Sequence, residues 1–254
     1  MGVSNWGFLK FSPVMMLISF SMVETLIYMD RSVFSSIVPV LKSSDGLNLN
    51  SSEAGLIGSI FILGYMVGSP LFAHFSQKYH PMFLMGIGLF VWFLATMGSG
   101  LATNYWILII ARAFTGVGEA SFICLAPPYI NDMAPPNRKS VWLAIFYSCV
   151  NTGNAIGFIF GNYLRAYLGS WQWPLIIESL LMVPLIILSF LFYKDPNFLI
   201  NKPEPKDSST LETAERALPL HRQIGILLKN KVYMILVSGF AAYIFTYGGW
   251  IFWL

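Results

Sequence analysis

The chain has 254 residues, of which 56% are hydrophobic and only 11% charged, and its net charge is +3. A soluble domain carries about a quarter charged residues, so this composition excludes one, and it also excludes a basic nucleic-acid-binding surface. Several apolar runs are longer than about eighteen residues, and the fold class that follows is an all-α, polytopic membrane protein.

The apolar runs predict helices over 11–40, 52–77, 82–101, 104–133, 138–167, 172–194 and 232–254. The N-terminus before the first run is short and polar, and that run can serve as an uncleaved signal anchor. Pro13 falls in its first turn, where a missing N–H costs nothing. The run also carries Glu24, Asp30 and Arg31 at membrane depth. Ser51 or Ser52 is expected to cap the second helix, with Glu53 in its first turn. The sequon Asn50-Ser51-Ser52 lies too close to that helix for ready glycosylation. His74 and His80 are expected to be solvated loop residues, flanking Gln77 and Lys78. Pro81 opens the third helix, and Pro135-Pro136 separate the fourth from the fifth. Pro39, Pro70, Pro127, Pro128 and Pro184 lie within spans, where neighbouring helices satisfy the freed carbonyls. Cys124 and Cys149 sit in apolar helices without disulfide or metal spacing and are assigned to packing. Tyr105, Trp106, Trp171 and Trp173 fit an interfacial aromatic belt.

Three segments are expected: a six-helix bundle over 1–194, a cytosolic linker over 195–231 and a seventh helix over 232–254. The linker is polar and proline-rich from Asn201 to Thr210. Short amphipathic helices are expected at Leu211 to Leu218 and His221 to Lys229. Of the 15 Lys and Arg, Lys42 and Arg165 fall outside, Arg31 and Arg112 stay in the membrane, and the rest fall on the side of the N-terminus. That bias puts the N-terminus in the cytosol. The chain stops without a polar tail, which reads as an ending ahead of a missing C-terminal six-helix half. A non-transporting truncated membrane protein or partner is the alternative reading of that ending.

The most informative stretch is Ala111 to Ser121. Arg112 and Glu119 are seven residues apart, about two helical turns, so they share a face. Gly116 lies between them and permits close approach of another helix. A charge at membrane depth costs roughly 3 kcal/mol or more, so these residues face a bundle interior or a wet cavity. A structural ion pair and a functional polar site both satisfy that requirement; buried charges on a second helix, at Asp30 and Arg31, favour the site. Glu24 lies six residues before Asp30 on a neighbouring face, either as a second proton site or as a snorkelling end residue. Gly153, Gly157 and Gly161 form a GxxxGxxxG packing face.

Several of these pieces resemble the Spinster family of the major facilitator superfamily. They are Tyr28-Met-Asp30-Arg31, Arg112-Ala-Phe-Thr-Gly-Val-Gly118-Glu119-Ala-Ser and Trp171-Gln-Trp173. Gly64-Tyr-Met-Val, Pro70-Leu-Phe, Ile145-Phe-Tyr147, Gly239-Phe240 and Gly248 extend the match. The resemblance implies the N-terminal six-helix half of a major facilitator fold, with a cytosolic linker and helix seven. It implies export of lysophospholipid or sphingolipid-like amphiphiles by alternating access, coupled to protons or driven by the substrate gradient. A small organic anion is the alternative cargo. Asp30 matches the family's helix-one acid and Glu119 the helix-four acid lining the cavity; Arg31 and Arg112 match the arginines beside them. Arg31 or Arg112 is expected to meet a phosphate, because the guanidinium fork binds two oxygens at once.

Two departures stand out. The superfamily's loop between helices two and three reads Gly-x-x-x-Asp-Arg-x-x-Arg-Lys and is thought to gate the cytosolic side. Here its acid is Gln77, followed by Lys78, and its trailing basic pair is Pro81-Met82. The family's basic residue after Trp-x-Trp falls at Ile176, with Glu178 close behind. An altered gate is expected. No nucleophile elbow, phosphate-cradling loop or metal-ligand set occurs in the sequence, so no enzyme activity, metal or cofactor is expected. The partners expected are membrane lipids, an amphipathic substrate and protons. The family has lysosomal and plasma-membrane members.

Overall fold

The structure, a computed structural model, describes residues 12–43, 46–194, 225 and 228–253, which are helical apart from short connections. The expected linker lies almost wholly outside the described residues, as do its two candidate short helices. The chain divides into two compact units, Met1–Asn201 and Lys202–Leu254. The first holds α1 (Pro13–Leu41), α2 (Ser51–Phe75), α3 (Pro81–Gly100), α4 (Tyr105–Met133), α5 (Lys139–Leu168) and α6 (Gln172–Lys194); the second holds α7 (Lys231–Trp253). Helices α1 to α6 are each long and apolar enough to cross a membrane, and α7 is apolar over Lys231–Tyr243.

Local chemistry sets the helix starts. Ser12 caps α1 by accepting from the Met15 N–H, with Pro13 directly after it. Helix α2 is capped by Asn50 rather than by Ser51 or Ser52. The Glu53 N–H donates to Asn50 Oδ1 at 2.9 Å and the Asn50 N–H donates to Glu53 Oε2 at 2.9 Å, a reciprocal box that satisfies two orphan amides. His80 is not a solvated loop residue either. Its Nδ1 accepts from the Met82 N–H at 3.3 Å and caps α3, and its ring lies against Tyr129 and Tyr193. His74 belongs to the last turn of α2 and is half-buried. Asn230 caps α7 through the Val232 and Tyr233 amides. Pro39, Pro70, Pro127, Pro128 and Pro184 all lie inside continuous helices.

In the first unit the main packing runs α5–α1–α6–α3–α4–α2. Glycines make the closest approaches. A Cβ on Gly116 would stand 2.8 Å from the Tyr65 backbone nitrogen of α2. On α5, a Cβ on Gly157 would stand 2.8 Å from Met29 Cα, and Gly153 and Gly161 meet Tyr28 and Val33 of α1 in the same way. The GxxxGxxxG face is therefore the seat of α1.

Two apolar clusters fill the bundle. One joins Met16, Phe20, Val23 and Ile27 of α1 to Met85 and Trp92 of α3, Phe122 and Ile130 of α4 and Met182 of α6. The other joins Val33, Phe34 and Ile37 of α1 to Leu108 of α4 and Leu175 of α6. Trp171 is only 7% exposed and belongs to this second cluster, so it is core rather than belt. Trp106 and Trp173 are exposed, as a belt requires. Cys124 and Cys149 are free thiols, both half-buried.

Replacing Gly157 with Val should cost about 1–3 kcal/mol, because the added atoms meet backbone rather than a movable side chain. Gly169→Ala should cost about 1 kcal/mol: Gly169 has φ +70° but open space around it. Detergent-titrated unfolding of the two variants checks the order.

Candidate functional site

Each of α1, α4 and α6 passes from one apolar cluster to the other, and the ionisable residues sit at the crossing. On α1, Ile27 belongs to the first cluster and Met29 and Val33 to the second, with Asp30 and Arg31 at the change. On α4, Leu108 is in the second and Phe122 in the first, with Arg112 and Glu119 between them. A polar layer is thus held between two apolar plugs.

The four charges pair across helices. Arg112 Nη1 donates to Asp30 Oδ2 at 2.8 Å and Nη2 to Oδ1 at 3.4 Å. This is a two-against-two fork, and its partners are 3% and 1% exposed. The Arg112 guanidinium also lies 4.0 Å from the Phe34 ring centroid. Arg31 takes the other acid. Its Nη2 and Nε both donate to Glu119 Oε2, at 2.7 and 3.3 Å. Glu119 is fully buried, whereas the Arg31 side chain is 30% exposed. Glu119 Oε1 has no partner among the described residues. The Tyr28 and Phe61 rings flank the Arg31 guanidinium at 4.5 and 4.9 Å, contacts that favour a cation. The helical turn that separates Asp30 from Arg31 sends each to a different partner, so the neighbours in sequence do not pair.

Backbone contact between α1 and α4 is sparse beside the contact of α1 with α5 or of α4 with α2. The arginine side chains span that gap. Gly116 faces α2, where Phe61 approaches it, while Arg112 and Glu119 reach α1. Glu24 is 1% exposed, and its Oε2 has no partner among the described residues; it lies inside the bundle rather than snorkelling from a helix end. Gln77 and Lys78 lie away from this cluster, exposed in the turn between α2 and α3. Gly153, Gly157 and Gly161 pack against α1 and do not face the charges. No cluster of three potential metal ligands occurs among the described residues.

One buried acid escaped the sequence reading as a site residue. Glu178 of α6 is fully buried, and neither of its carboxyl oxygens has a hydrogen-bond partner among the described residues. Its signal was available. It continues the Leu175, Met182, Ile186 stripe, spaced three and four apart, that forms the buried face of α6.

The sequence model of the Major Facilitator Superfamily matches residues 20–254. A probable sphingolipid transporter, spinster homolog 1 of Arabidopsis thaliana, is 38% identical over 227 residues, 81% of this chain and 46% of that protein. Spinster homolog 2 of the same plant is 34% identical over 96% of this chain and 54% of its own length. Protein spinster homolog 1 of Homo sapiens is 34% identical over 68% of this chain and 33% of its own length. The chain spans about half the length of the curated relatives it matches. Among solved structures, an inward-facing, occupied bacterial homolog of the human lysosomal transporter Spinster superposes with a TM-score of 0.61 at 22% identity, covering 71% of this chain and 44% of that one. The xylose transporter XylE of E. coli, inward open, gives 0.62 at 16% identity over 89% of this chain and 55% of that one. These two likenesses concern the fold.

Removing one member of a buried pair costs about 3–5 kcal/mol when the other is left as an uncompensated charge. Arg31→Met, which strands the fully buried Glu119, should therefore destabilise more than Glu119→Gln, which leaves Arg31 with water and two aromatic faces. The double substitution should cost less than the sum of the two. A double-mutant cycle in detergent-titrated unfolding measures all three terms.

Proposed function

The chain belongs to the major facilitator superfamily, and we propose that it supplies the N-terminal half of a Spinster-like transporter of lysophospholipid or sphingolipid-like amphiphiles. It is an integral, multi-pass membrane protein. In this reading the N-terminus and the linker face the cytosol, and the substrate sits between this bundle and a second six-helix half. Access alternates as the halves rock. The sphingolipid names of the plant relatives support the substrate class.

The observation that carries the proposal is the unequal pair of ion pairs. The Arg112–Asp30 fork is closed, sealed and under an aromatic ring. The Arg31–Glu119 pair is open: both nitrogens share one oxygen, the second oxygen has no partner among the described residues, and the Arg31 side chain is 30% exposed. Arg31 is therefore the cation that meets an anionic headgroup. Burial disfavours the charged form of a carboxylate while a guanidinium favours it. When a phosphate takes Arg31, Glu119 loses its counter-charge in a dry site, and binding a proton relieves it. Headgroup binding and proton uptake are thereby linked at one residue. Gln77 and Lys78 would border the cytosolic gate, without the acid that the superfamily's loop carries.

The test is uptake of labelled lysophospholipid into vesicles that contain this chain joined to a second six-helix half, beside the 254-residue chain alone. Uptake is expected in the joined form. Arg31→Lys should weaken apparent affinity by about tenfold or more, the worth of one charge-assisted hydrogen bond. Glu119→Gln should remove the pH dependence. Uptake and pH dependence unchanged in Glu119→Gln would overturn the site; no uptake of lysophospholipid by the joined form would overturn the substrate class.

A further inference from the structure

Glu178 is unexplained by either ion pair. It lies at the level of the polar layer, because Leu175 on one side of it belongs to the second apolar cluster and Met182 on the other to the first. The outward face of α6 is apolar, with Leu180, Leu181 and Ile187 exposed. Glu178 is thus the single ionisable residue on the buried face of α6, where the two buried serines, Ser179 and Ser189, donate to carbonyls of their own helix. Its carboxyl has no hydrogen-bond donor among the described residues. The charged groups that act on it are Asp30 from α1, with Arg112 and Glu119 from α4. Helix α3, its main packing neighbour, contains no ionisable residue. No ionisable group of α5 acts on it.

An ionised carboxylate without a donor in such a place costs several kcal/mol. Asp30 already occupies two nitrogens of Arg112. The Nε of Arg112 is buried and has no partner among the described residues, so this guanidinium has capacity to spare. Arg112 thus has one carboxylate in contact, Asp30, and a second buried carboxyl, Glu178, at the same level of the bundle.

We propose that Glu178 is a proton-binding site of the bundle and the alternative counter-ion of Arg112. In the state described here Asp30 is the carboxylate, Arg112 its partner and Glu178 the acid. In the alternative state the proton has passed from Glu178 to the Asp30 carboxylate, and the guanidinium has turned to Glu178. One proton is exchanged between two carboxyls, the net charge of the three groups is unchanged, and no bond other than those to that proton is made or broken. The exchange moves the tie of α4 from α1 to α6. Its use in transport rests on the reading above; its chemistry does not.

Infrared spectroscopy of the 254-residue chain in lipid vesicles at neutral pH tests it without any transport step. Glu178 is isolated as the difference between each protein and its Glu178→Gln counterpart. In the parent, that difference should be the loss of a protonated carboxyl band. In Asp30→Asn, where residue 30 can no longer hold a charge, the difference should instead be the loss of an ionised carboxylate band. Asp30→Asn set directly against the parent needs no Glu178→Gln protein: the protonated carboxyl band should disappear as Glu178 ionises, so the test stands even if Glu178→Gln folds poorly. A carboxylate band in the parent difference, or a protonated band in the Asp30→Asn difference, overturns the proposal. Both expected bands in a protein whose joined form moves no lysophospholipid would leave the proton exchange standing and sink the transporter's substrate. Transport with neither band would do the reverse.

Discussion

A charge at membrane depth has to find a counter-charge or water, and this requirement organises the bundle. The polar layer of α1, α4 and α6 is closed on both sides by apolar clusters. Inside it, the arginines bridge two helices whose backbones scarcely touch. The helices themselves are held elsewhere. Glycines seat α1 on α5 and α4 on α2, so the bases of the charged side chains are fixed by backbone contact with those neighbouring helices. Small-residue packing is the principal means of close association where no hydrophobic drive exists between helices. Rigid seats on the outside and long side chains on the inside make a layer whose pairing can change without repacking the helices.

The two ion pairs differ in what that freedom permits. Arg112 meets Asp30 with two nitrogens on two oxygens, both partners nearly fully buried. Breaking such a pair exposes a bare charge to hydrocarbon, so it opens only if another counter-ion is at hand. Arg31 is stabilised three ways: by Glu119, by two aromatic faces and by its 30% exposure. Its departure from Glu119 harms the carboxylate far more than the guanidinium. The layer therefore has one closed, sealed pair and one that is partly exposed.

Much of this was legible in the sequence. The helices lie within a few residues of the expected limits, because runs of that length and hydropathy have few alternatives in a bilayer. The four charges were found from depth alone, and the α5 glycine face from its spacing. The crossed pairing was not, since it depends on where two helices face each other, and sequence spacing orders side chains only within one helix. Glu178 was passed over because it was seen as a departure from a motif, when its place in the Leu175–Met182 stripe was the stronger signal. Trp171 was assigned to the interface by its type and its nearness to a helix start. Burial against Leu175 and Phe34 overrides that rule. At the start of α2 the Asn50-x-x-Glu53 spacing, which allows the reciprocal box, outranks the capping propensity of the two serines that follow Asn50.

The turn between α2 and α3 shows how a lost charge is replaced by other contacts. With Gln77 where the superfamily carries an acid, the turn is held by backbone bonds from the amides of Gln77, Lys78 and Tyr79 to His74 and Phe75. His80 then ties its far end to Tyr129 of α4 and Tyr193 of α6 through ring contacts. Those are the helices that carry Arg112 and Glu178. A relative shift of α4 and α6 would be felt at His80, whose ring partners Tyr129 and Tyr193 lie ten residues beyond Glu119 and fifteen beyond Glu178. Aromatic contacts of this kind are short-ranged and tolerant of sliding, unlike a directional ion pair. The turn thus meets α4 and α6 through contacts that tolerate sliding, whereas the polar layer joins α1 and α4 through directional ones.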